Sequence, residues 1–475
     1  MSLAAHAPTW RLRVPCVLIL VVGCGCGSPP GTDASVDAAV DAPGDAPPPV
    51  CTERAAPPRP LGACVADAEC GAEICRRSET EGELAVMECG PGIGGGPGAS
   101  CTTAAECAHR LCAASGRCLV ACADDTPCAE AQRCTQTWVH AGPDAMQRAT
   151  VCVPRRALPA AVVPAFEPQA ATDDWTLPEG FAFHVVQPAC VERSAAVSLS
   201  VGDAVIWSGR PGDPNPLFAR SGSPLCVQLP SGDAATPGGA LSLRFDRSAG
   251  GTRTSLPSGT GSVLDLDVFY LGGGGFVSTG TRGPPALATA LDRLEEIFSA
   301  AGISVGDVRQ HDVTGTPRSR LQILEGERGD LPELAELFSL GAGLSEPGVS
   351  LFLVRDIDFQ LAVGGGIPGP LGHPGIDNSG VAIAVDAIGA DLGRVVAHEV
   401  AHHLGLFHPT EFDGTVFEGF ADTPVCTDSD GDGLLSVTEC VGAGSENLMF
   451  FSADATGTEL SPSQRAQLRR APILR

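Results

Sequence analysis

The 475-residue sequence contains no lysine, so all thirty of its basic residues are arginines. Without lysine, the chain cannot form a phosphate-binding P-loop or a Schiff base with a carbonyl substrate. Acidic residues number fifty-six, and the formal net charge of -26 corresponds to a pI of about 4.6. This charge argues against nucleic acids and anionic membrane surfaces as partners.

The apolar run near the amino terminus, VPCVLILVVG, is too short to span a bilayer. It follows Arg11 and Arg13, which predicts an export signal over residues 1–23. The run ends in VVGC, which resembles the lipobox of bacterial lipoproteins, and this resemblance implies that Cys24 is acylated. The alternative is an ordinary signal peptide cut nearby, with Cys24 and Cys26 oxidised later.

Residues 24–60 consist mainly of proline, alanine and aspartate and contain almost no large apolar side chains. Such a segment cannot bury a core, and we expect an extended tether without regular structure. Together with the signal, the tether predicts an extracytoplasmic lipoprotein of the cell envelope, at the outer membrane or cell surface, or a released form. Its membrane contact would be the lipid anchor.

Cysteines are concentrated in residues 61–153, where they form three successive quartets. In each quartet five residues separate the first two cysteines, and four or five residues separate the second and third. Few large apolar residues lie between them, so disulfides would replace core burial in an oxidising compartment. Zinc ribbons are the alternative, but no C-x2-C pair occurs here. The quartets are Cys64, Cys70, Cys75, Cys89; Cys101, Cys107, Cys112, Cys118; and Cys122, Cys128, Cys134, Cys152.

Residues 170–258 contain short apolar runs such as FAFHVVQ, AAVSLSV and ALSLRF, separated by Gly, Pro, Ser and Asp. These are strand and turn signals, and they predict a small antiparallel β-sandwich. Cys190 and Cys226 could link its strands. The position of this domain is compatible with a prodomain or with a structural or carbohydrate-binding accessory domain.

Residues 262–475 alternate strand and helix patterns and predict a mixed α/β domain. SVLDLDVFYL, SRLQILEG, VSLFLVRDI and VAIAVDAI predict strands, and PALATALDRLEEIFSAAG predicts a helix. The Gly- and Pro-rich loop before the last of these strands contains His373, which could bind a second metal or be solvated.

The most informative segment is HEVAHHLGLFH, residues 398–408. One helical turn separates His398 from His402, so both imidazoles leave the same face. A left-handed backbone at Gly405 would let the chain turn and bring in His408 as a third ligand. Three neutral nitrogens suit catalytic zinc with one open position, and Glu399 is placed to act as general base toward a water molecule there. His403 lies off this face.

The ends of this helix are predicted from local signals. Asp391 can cap its amino end, and Gly405 ends it. An apolar face for packing comes from four residues, Leu392, Val395, Val396 and Leu404.

The segment between Cys426 and Cys440 matches the calcium-binding pattern D-x-D-x-D-G-x5-E, with Asp428, Asp430, Asp432, Gly433 and Glu439 at the specified positions. Oxygen ligands at alternate positions can surround a structural Ca²⁺. The alternative is an acidic surface turn held by a disulfide, because flanking EF-hand helices are not evident.

About forty residues after His408, the segment NLMFF contains Met449 and looks like a Met-turn, whose methionine packs below the zinc ligands. A core methionine in an ordinary turn is the alternative. HEVAHHLGLFH, ADTP (421–424), NLMFF and the predicted helix LSPSQRAQLRR together resemble the metzincin zinc peptidases, most of all the pappalysin-like group, with matrixin features.

The resemblance covers residues 262–475 and implies a mixed twisted sheet with an active-site helix. It implies that the last predicted strand, VAIAVDAI, lies along the edge of a cleft. It also implies zinc ligation by His398, His402 and His408, Glu399 as general base, and Met449 as the Met-turn residue. One position departs from the family pattern: Phe451 stands where several members have tyrosine, and the only tyrosine is Tyr270. A tyrosine in the Met-turn therefore cannot stabilise an oxyanion here.

The predicted architecture is a multidomain protein with a disulfide-rich region, a small all-β domain and a carboxy-terminal α/β metzincin domain. The predicted function is a zinc-dependent endopeptidase that acts on proteins or peptides outside the cytoplasm. The alternative is a surface adhesion or binding lipoprotein whose disulfide units engage a partner and whose peptidase-like domain is inactive.

Overall fold

The structure is a computed structural model. It describes residues 61–62, 64–79, 82, 84–122, 128, 132–142, 145–154, 156 and 158–159, then eight strands between residues 165 and 256, then residues 257–272, 275–325, 333–358, 360–375, 379–388, 391–416 and 420–475. The predicted export signal, the tether and Cys24 lie outside these residues. No helix in the described part is both long enough and apolar enough to cross a bilayer.

The disulfide-rich region forms two small sheets joined by turns. Each quartet has the same connectivity, with the first cysteine bonded to the third and the second to the fourth, which confirms disulfides in this region. The sheet orders are β1-β3-β2 and β4-β6-β5. The strands are β1 (Leu61–Gly62), β2 (Ile74–Arg77), β3 (Val86–Gly90), β4 (Val120–Ala121), β5 (Arg133–Gly142) and β6 (Ala145–Val153), with 3-10 turns at Asp67–Glu69 and Ala104–Glu106.

The next eight strands form two four-stranded antiparallel sheets, ordered β11-β10-β13-β8 and β12-β9-β14-β7. The first strand begins at Ala165, ahead of the predicted start at residue 170. Cys226 lies opposite Val185 in the second sheet. Cys190 is outside the described residues, so the predicted bridge is too. The strands are β7 (Ala165–Gln169), β8 (Asp174–Leu177), β9 (Phe183–Pro188), β10 (Val197–Val201), β11 (Ala204–Gly209), β12 (Leu225–Gln228), β13 (Leu241–Phe245) and β14 (Gly251–Leu256).

The carboxy-terminal part contains a mixed five-stranded sheet ordered β16-β15-β18-β21-β20, in which only β20 runs antiparallel to its neighbour. Its strands are β15 (Val263–Tyr270), β16 (Ser304–Asp312), β18 (Val349–Val354), β20 (Ala362–Gly364) and β21 (Val381–Ala384), beside a short pair, β17 (Ile323–Leu324) and β19 (Asp356–Ile357). The helices are α1 (Pro285–Ser299), α2 (Gly315–Leu321), α3 (Glu333–Ser339), α4 (Val385–Ile388), α5 (Leu392–His403) and α6 (Pro462–Arg469). A multidomain α/β architecture with a disulfide-rich region is therefore confirmed.

Several strand predictions in this part were wrong. The first three residues of SRLQILEG belong to the end of α2, and among its described residues only Ile323–Leu324 is extended. The strand Ser304–Asp312 was missed, because it lies at a sheet edge and carries mostly polar side chains instead of an apolar run. The strand predicted from VAIAVDAI ends at Ala384, where α4 begins.

The prediction of which strand forms the edge of the sheet was also wrong. The last strand, β21, is an inner strand, and β20 forms the edge. Strand β20 has only three residues, ends at the first of three consecutive glycines and carries no apolar periodicity, so a strand could not be predicted there.

Both faces of the sheet are covered. Along β15, Leu264, Leu266 and Val268 belong to a core cluster shared with α1 and α5. Phe269 points to the opposite face and belongs to a second cluster. Successive side chains of β15 therefore point alternately into two cores, as expected for an inner strand of a parallel sheet.

The second core joins the disulfide-rich region to the carboxy-terminal sheet. Trp138 of β5 is fully buried in it, together with Phe269, Phe338 and Phe352. Apolar burial of this kind drives domain docking. The disulfide-rich region is thus packed into the α/β part instead of forming separate stapled units.

Polar contacts reinforce this junction. The hydroxyls of Ser115 and Thr137 donate hydrogen bonds to the carbonyls of Ala342 and Ser339, each over 2.5 Å. Arg117 pairs with Glu346 at the rim of the same junction.

A buried ion pair lies nearby. Arg156 follows the disulfide-rich region and donates to the carboxylate of Asp267 in β15 over 2.6 Å. Arg309 donates two further hydrogen bonds to Asp267, over 2.8 and 2.9 Å, and the His311 ring lies 3.2 Å from it. Although burial alone would raise the pKa of Asp267, Arg156 and the hydrogen bonds from Arg309 and His311 hold it well below its usual range.

Candidate metal centre

Helix α5 carries the first two histidines on a rigid support. The predicted apolar residues Leu392, Val395, Val396 and Leu404 are all buried. The helix packs against α1 at Gly393, where a Cβ atom would stand 2.8 Å from the Ala290 carbonyl oxygen. A side chain at this crossing would separate the two helices.

The amino end of α5 differs from the prediction. Asp391 is the N-cap residue, but its side chain accepts no capping hydrogen bond from the helix backbone. Instead its carboxylate accepts a hydrogen bond from Arg394 Nε over 2.6 Å. Arg394 is buried and also donates to the Ala453 carbonyl, so charge pairing takes the place of capping at this helix end.

The carboxyl end of α5 turns the chain back toward the histidines. Gly405 has φ of 105°, a left-handed conformation that favours glycine. The Leu406 N–H donates to the Ala401 carbonyl over 2.9 Å, and the Gly405 N–H donates to the His402 carbonyl over 2.8 Å. These bonds satisfy carbonyls at the helix end and direct the chain to His408.

The three histidines meet through their Nε2 atoms. His402 Nε2 and His408 Nε2 are 3.0 Å apart, and His408 Nε2 and His398 Nε2 are 3.2 Å apart. Two nitrogens bound to one tetrahedral zinc would lie about 3.3 Å apart, given zinc–nitrogen bonds of about 2.0–2.1 Å. These two nitrogen–nitrogen distances are therefore close to those that a bound zinc ion requires.

The hydrogen bonds made by the other ring nitrogens determine which nitrogens carry protons. His398 Nδ1 is 2.7 Å from the Leu448 carbonyl, and His402 Nδ1 is 2.7 Å from the Leu406 carbonyl. Since a carbonyl can only accept, each Nδ1 must be the donor, and each Nε2 carries a lone pair. His408 Nδ1 lies 3.0 Å from Glu411 Oε2 and donates in the same way.

Three lone pairs therefore converge on one point. Their mutual repulsion is relieved by a cation placed between them, so the donor set fits zinc. Burial, with His408 as a neighbour, lowers the pKa of His398 to about 3, and burial lowers the pKa of His402 well below its usual value. The rings of His398 and His402 are thus neutral at pH 7, the form that binds a metal.

Glu399 is half-buried beside this triangle, next to the edge strand β20. Burial raises the pKa of Glu399 to about 7, although His408 and a hydrogen bond from the Gly364 backbone N–H act in the opposite direction. Gly364 passes close by, since a Cβ atom there would lie 3.4 Å from Glu399 Oε2. A carboxyl group with a pKa near 7 can accept and return a proton at neutral pH.

The segment 447–451 lies directly against α5. Leu448 supplies the carbonyl that orients His398. Met449 is fully buried in the same cluster as Val400 and Ala401 of the helix, and its N–H donates to the Asn447 side chain over 2.8 Å. Phe451 instead packs with the disulfide-bonded Cys426 and Cys440, in a separate cluster.

The acidic loop forms a partial cluster. Cys426 and Cys440 are bonded to each other, as predicted. Carboxylate oxygens of Asp428, Asp430 and Glu439 all lie within 4.8 Å of one another. Asp432 is not part of that group, and its Oδ1 accepts from the Leu434 N–H over 2.8 Å. Within the loop, Asp428 accepts from the Gly431 and Gly433 N–H groups over 2.6 and 2.9 Å.

The structure also clarifies residues that sequence reasoning left aside or missed. His373 is buried instead of solvated, and in the described part of the chain it belongs to no group of potential metal ligands. His403 is buried against Gly369 on the far side of α5. Glu411, the partner of His408, was not identified from the sequence, although a carboxylate three residues after the third ligand is a local signal.

No family model matches the sequence, and no curated protein is similar to it. A solved structure of a carbohydrate esterase family 2 enzyme with a carbohydrate-binding domain, from Corynascus thermopiles (Myceliophthora fergusii), is 15% identical, with coverage of 50% of this chain and 74% of that chain, at a TM-score of 0.12. A likeness at that TM-score carries no argument about fold or activity.

Proposed function

We propose that the protein is an exported zinc-dependent endopeptidase of the metzincin type. The observation that carries this proposal is the meeting of three Nε2 lone pairs, on His398, His402 and His408, beside the carboxylate of Glu399. Each ring is oriented by its own acceptor, which is how proteins prepare histidine for metal binding. Hydrolysis by a metal-activated water molecule is the chemistry that this set performs.

The chain's own residues divide the work. His398, His402 and His408 would hold zinc, which when bound supplies a Lewis acid and lowers the pKa of a coordinated water. Glu399 accepts the proton of the attacking water and returns it to the leaving amine. Phe451 packs into the disulfide cluster and offers no hydroxyl, so the Met-turn supplies no hydrogen bond to a developing oxyanion.

The position of strand β20 favours a peptide as the substrate. It is the edge of the five-stranded sheet, and Gly364 at its end lies beside Glu399. An extended peptide can add to such an edge through backbone hydrogen bonds, independent of its side chains. We infer that a substrate strand lies along β20, with its scissile bond above Glu399.

The general-base role is tested by replacing Glu399. Glu399→Ala and Glu399→Gln should retain zinc, because Glu399 is not a ligand, and should lose about a hundredfold or more in peptide hydrolysis. Glu296→Gln, which removes an exposed carboxylate on α1, should leave hydrolysis unchanged. Full hydrolysis by Glu399→Ala would refute the mechanism and favour the inactive, partner-binding alternative.

We further propose that the acidic loop binds a structural Ca²⁺ through Asp428, Asp430 and Glu439, with Asp432 joining after a small movement of its side chain. The sequence pattern and the three converging carboxylates support this. Added Ca²⁺ should raise the melting temperature of the wild type, since a ligand bound only by the native state stabilises it. The double variant Asp430→Ala, Asp432→Ala should lose that increase, and an equal increase in both proteins would contradict the site.

For location, we propose the cell envelope, with residues 24–60 as a tether from a lipidated Cys24. The three stapled quartets support an oxidising compartment. Metabolic labelling with a radioactive or clickable fatty acid tests the anchor, and loss of label in Cys24→Ser is the expected result.

A further inference from the structure

We propose that Glu411 is a positioning residue for His408, and that it raises the affinity of the three-histidine site for zinc. This inference rests on the proposed function, because it concerns the same metal centre. It concerns a residue outside the H-E-x-x-H-x-x-G-x-x-H motif.

The three histidines are not oriented in the same way. His398 and His402 donate from Nδ1 to backbone carbonyls. His408 donates to a carboxylate, that of Glu411, over 3.0 Å. A carboxylate carries a full negative charge, so it stabilises positive charge on the ring and makes Nε2 a stronger donor to a metal.

Glu411 is 7% exposed, and His408 is the hydrogen-bond partner of its carboxylate among the described residues. Burying a carboxylate is costly unless positive charge lies close by. A dication bound to Nε2 of the same ring would lie across the imidazole from this carboxylate and would offset much of that cost. The placement of this carboxylate therefore points to a charge on the opposite side of His408.

The turn that carries Glu411 is held on both sides. Its own N–H donates to the Thr415 carbonyl over 2.8 Å. The Cys426 N–H donates to Thr410 Oγ1 over 3.1 Å, and the Leu435 N–H donates to the Phe412 carbonyl over 2.7 Å. The disulfide-closed loop thus fixes the neighbours of Glu411 and, through them, the orientation of the third histidine.

Two variants separate the charge of Glu411 from its role as an acceptor. Glu411→Gln keeps an oxygen that can accept from His408 Nδ1 but removes the charge, and Glu411→Ala removes both. Asp413→Asn is the matched control, because it removes an exposed carboxylate from the same turn. For each full-length protein, zinc affinity is measured by competition with a chromophoric chelator, and the melting temperature of the zinc-free form checks folding.

We expect Glu411→Ala to weaken zinc binding about 10- to 100-fold and Glu411→Gln about 3- to 10-fold. Asp413→Asn should stay within about twofold. In the cobalt-loaded protein, the visible absorption bands should shift in both Glu411 variants and not in the control. A purely structural role would lower the melting temperature and leave the cobalt bands of the folded protein unchanged.

The results separate this inference from the proposed function. Unchanged zinc affinity in Glu411→Gln and Glu411→Ala, with normal zinc binding by the wild type, would overturn the role of Glu411 alone. Failure of the wild type to bind zinc would overturn both. An equal loss in Asp413→Asn would overturn the specific role in favour of a general charge effect.

Discussion

Replacing Trp138 with alanine removes the largest side chain that the disulfide-rich region inserts into the second core. Trp138 is fully buried beside Phe269, Phe338 and Phe352. Truncation of a buried tryptophan costs about 3–5 kcal/mol. Its Nε1–H has no hydrogen-bond partner among the described residues, and losing an unsatisfied buried donor returns about 1 kcal/mol or more. The net loss in the free energy of unfolding should therefore be about 3 kcal/mol.

Trp138→Phe distinguishes the two contributions. It keeps most of the apolar contact and removes the unsatisfied N–H, so its free energy of unfolding should change by about 1 kcal/mol or less. Ile93→Ala is the control, because Ile93 is 71% exposed in the same region and its truncation should change stability by about 0.5 kcal/mol or less.

The assay is urea unfolding, followed by amide hydrogen exchange in β5 and in β15 of the same sample. If the two parts share one core, Trp138→Ala shifts both signals to lower urea. Loss of structure in the disulfide-rich region alone, with β15 protected at unchanged urea concentrations, would refute the shared core.

Two further predictions concern the buried ion pair and Met449. The pKa of Asp267 is lower in the folded protein than in the unfolded chain, so the unfolded chain binds the proton at a higher pH. The ionised carboxylate therefore stabilises the folded state fully above about pH 4, and this stabilisation is lost as the pH falls below that value. Urea unfolding of the zinc-free protein should therefore show a smaller loss on acidification in Asp267→Asn than in the wild type, and equal losses would contradict this. Met449→Leu should cost less than about 1.5 kcal/mol, and Met449→Ala about 2–5 kcal/mol with weaker zinc binding, since Met449 packs below α5. Equal urea midpoints for the two variants would contradict that packing role.

Local signals allowed the most accurate predictions. The positions of His398 and His402 follow from helical periodicity alone, and the φ of 105° at Gly405 has the left-handed sign that the turn requires. The helix at Pro462–Arg469 begins with a capping box formed by Ser461 and Gln464, a short-range pattern. Such features need no knowledge of distant contacts.

Long-range contacts explain what the sequence could not specify. Each cysteine quartet allows three pairings, and the one found depends on how distant strands meet. Nothing near Trp138 in sequence indicates that it enters the core of another domain. Strand β20 has three residues, held by β21 and by its place beside α5, so tertiary structure determines it and local propensity does not.

The central claim is that one zinc ion, held by three histidines, makes this protein a peptidase. The most direct measurement is a zinc titration of the chelated protein, with cleavage of a fluorogenic peptide library as the signal. We predict no cleavage before zinc is added and a linear rise in the cleavage rate that ends at one equivalent of zinc per chain. His402→Ala should show no cleavage at any point of the titration. Equal cleavage by the chelated protein, or no cleavage after a full equivalent has bound, would contradict the claim.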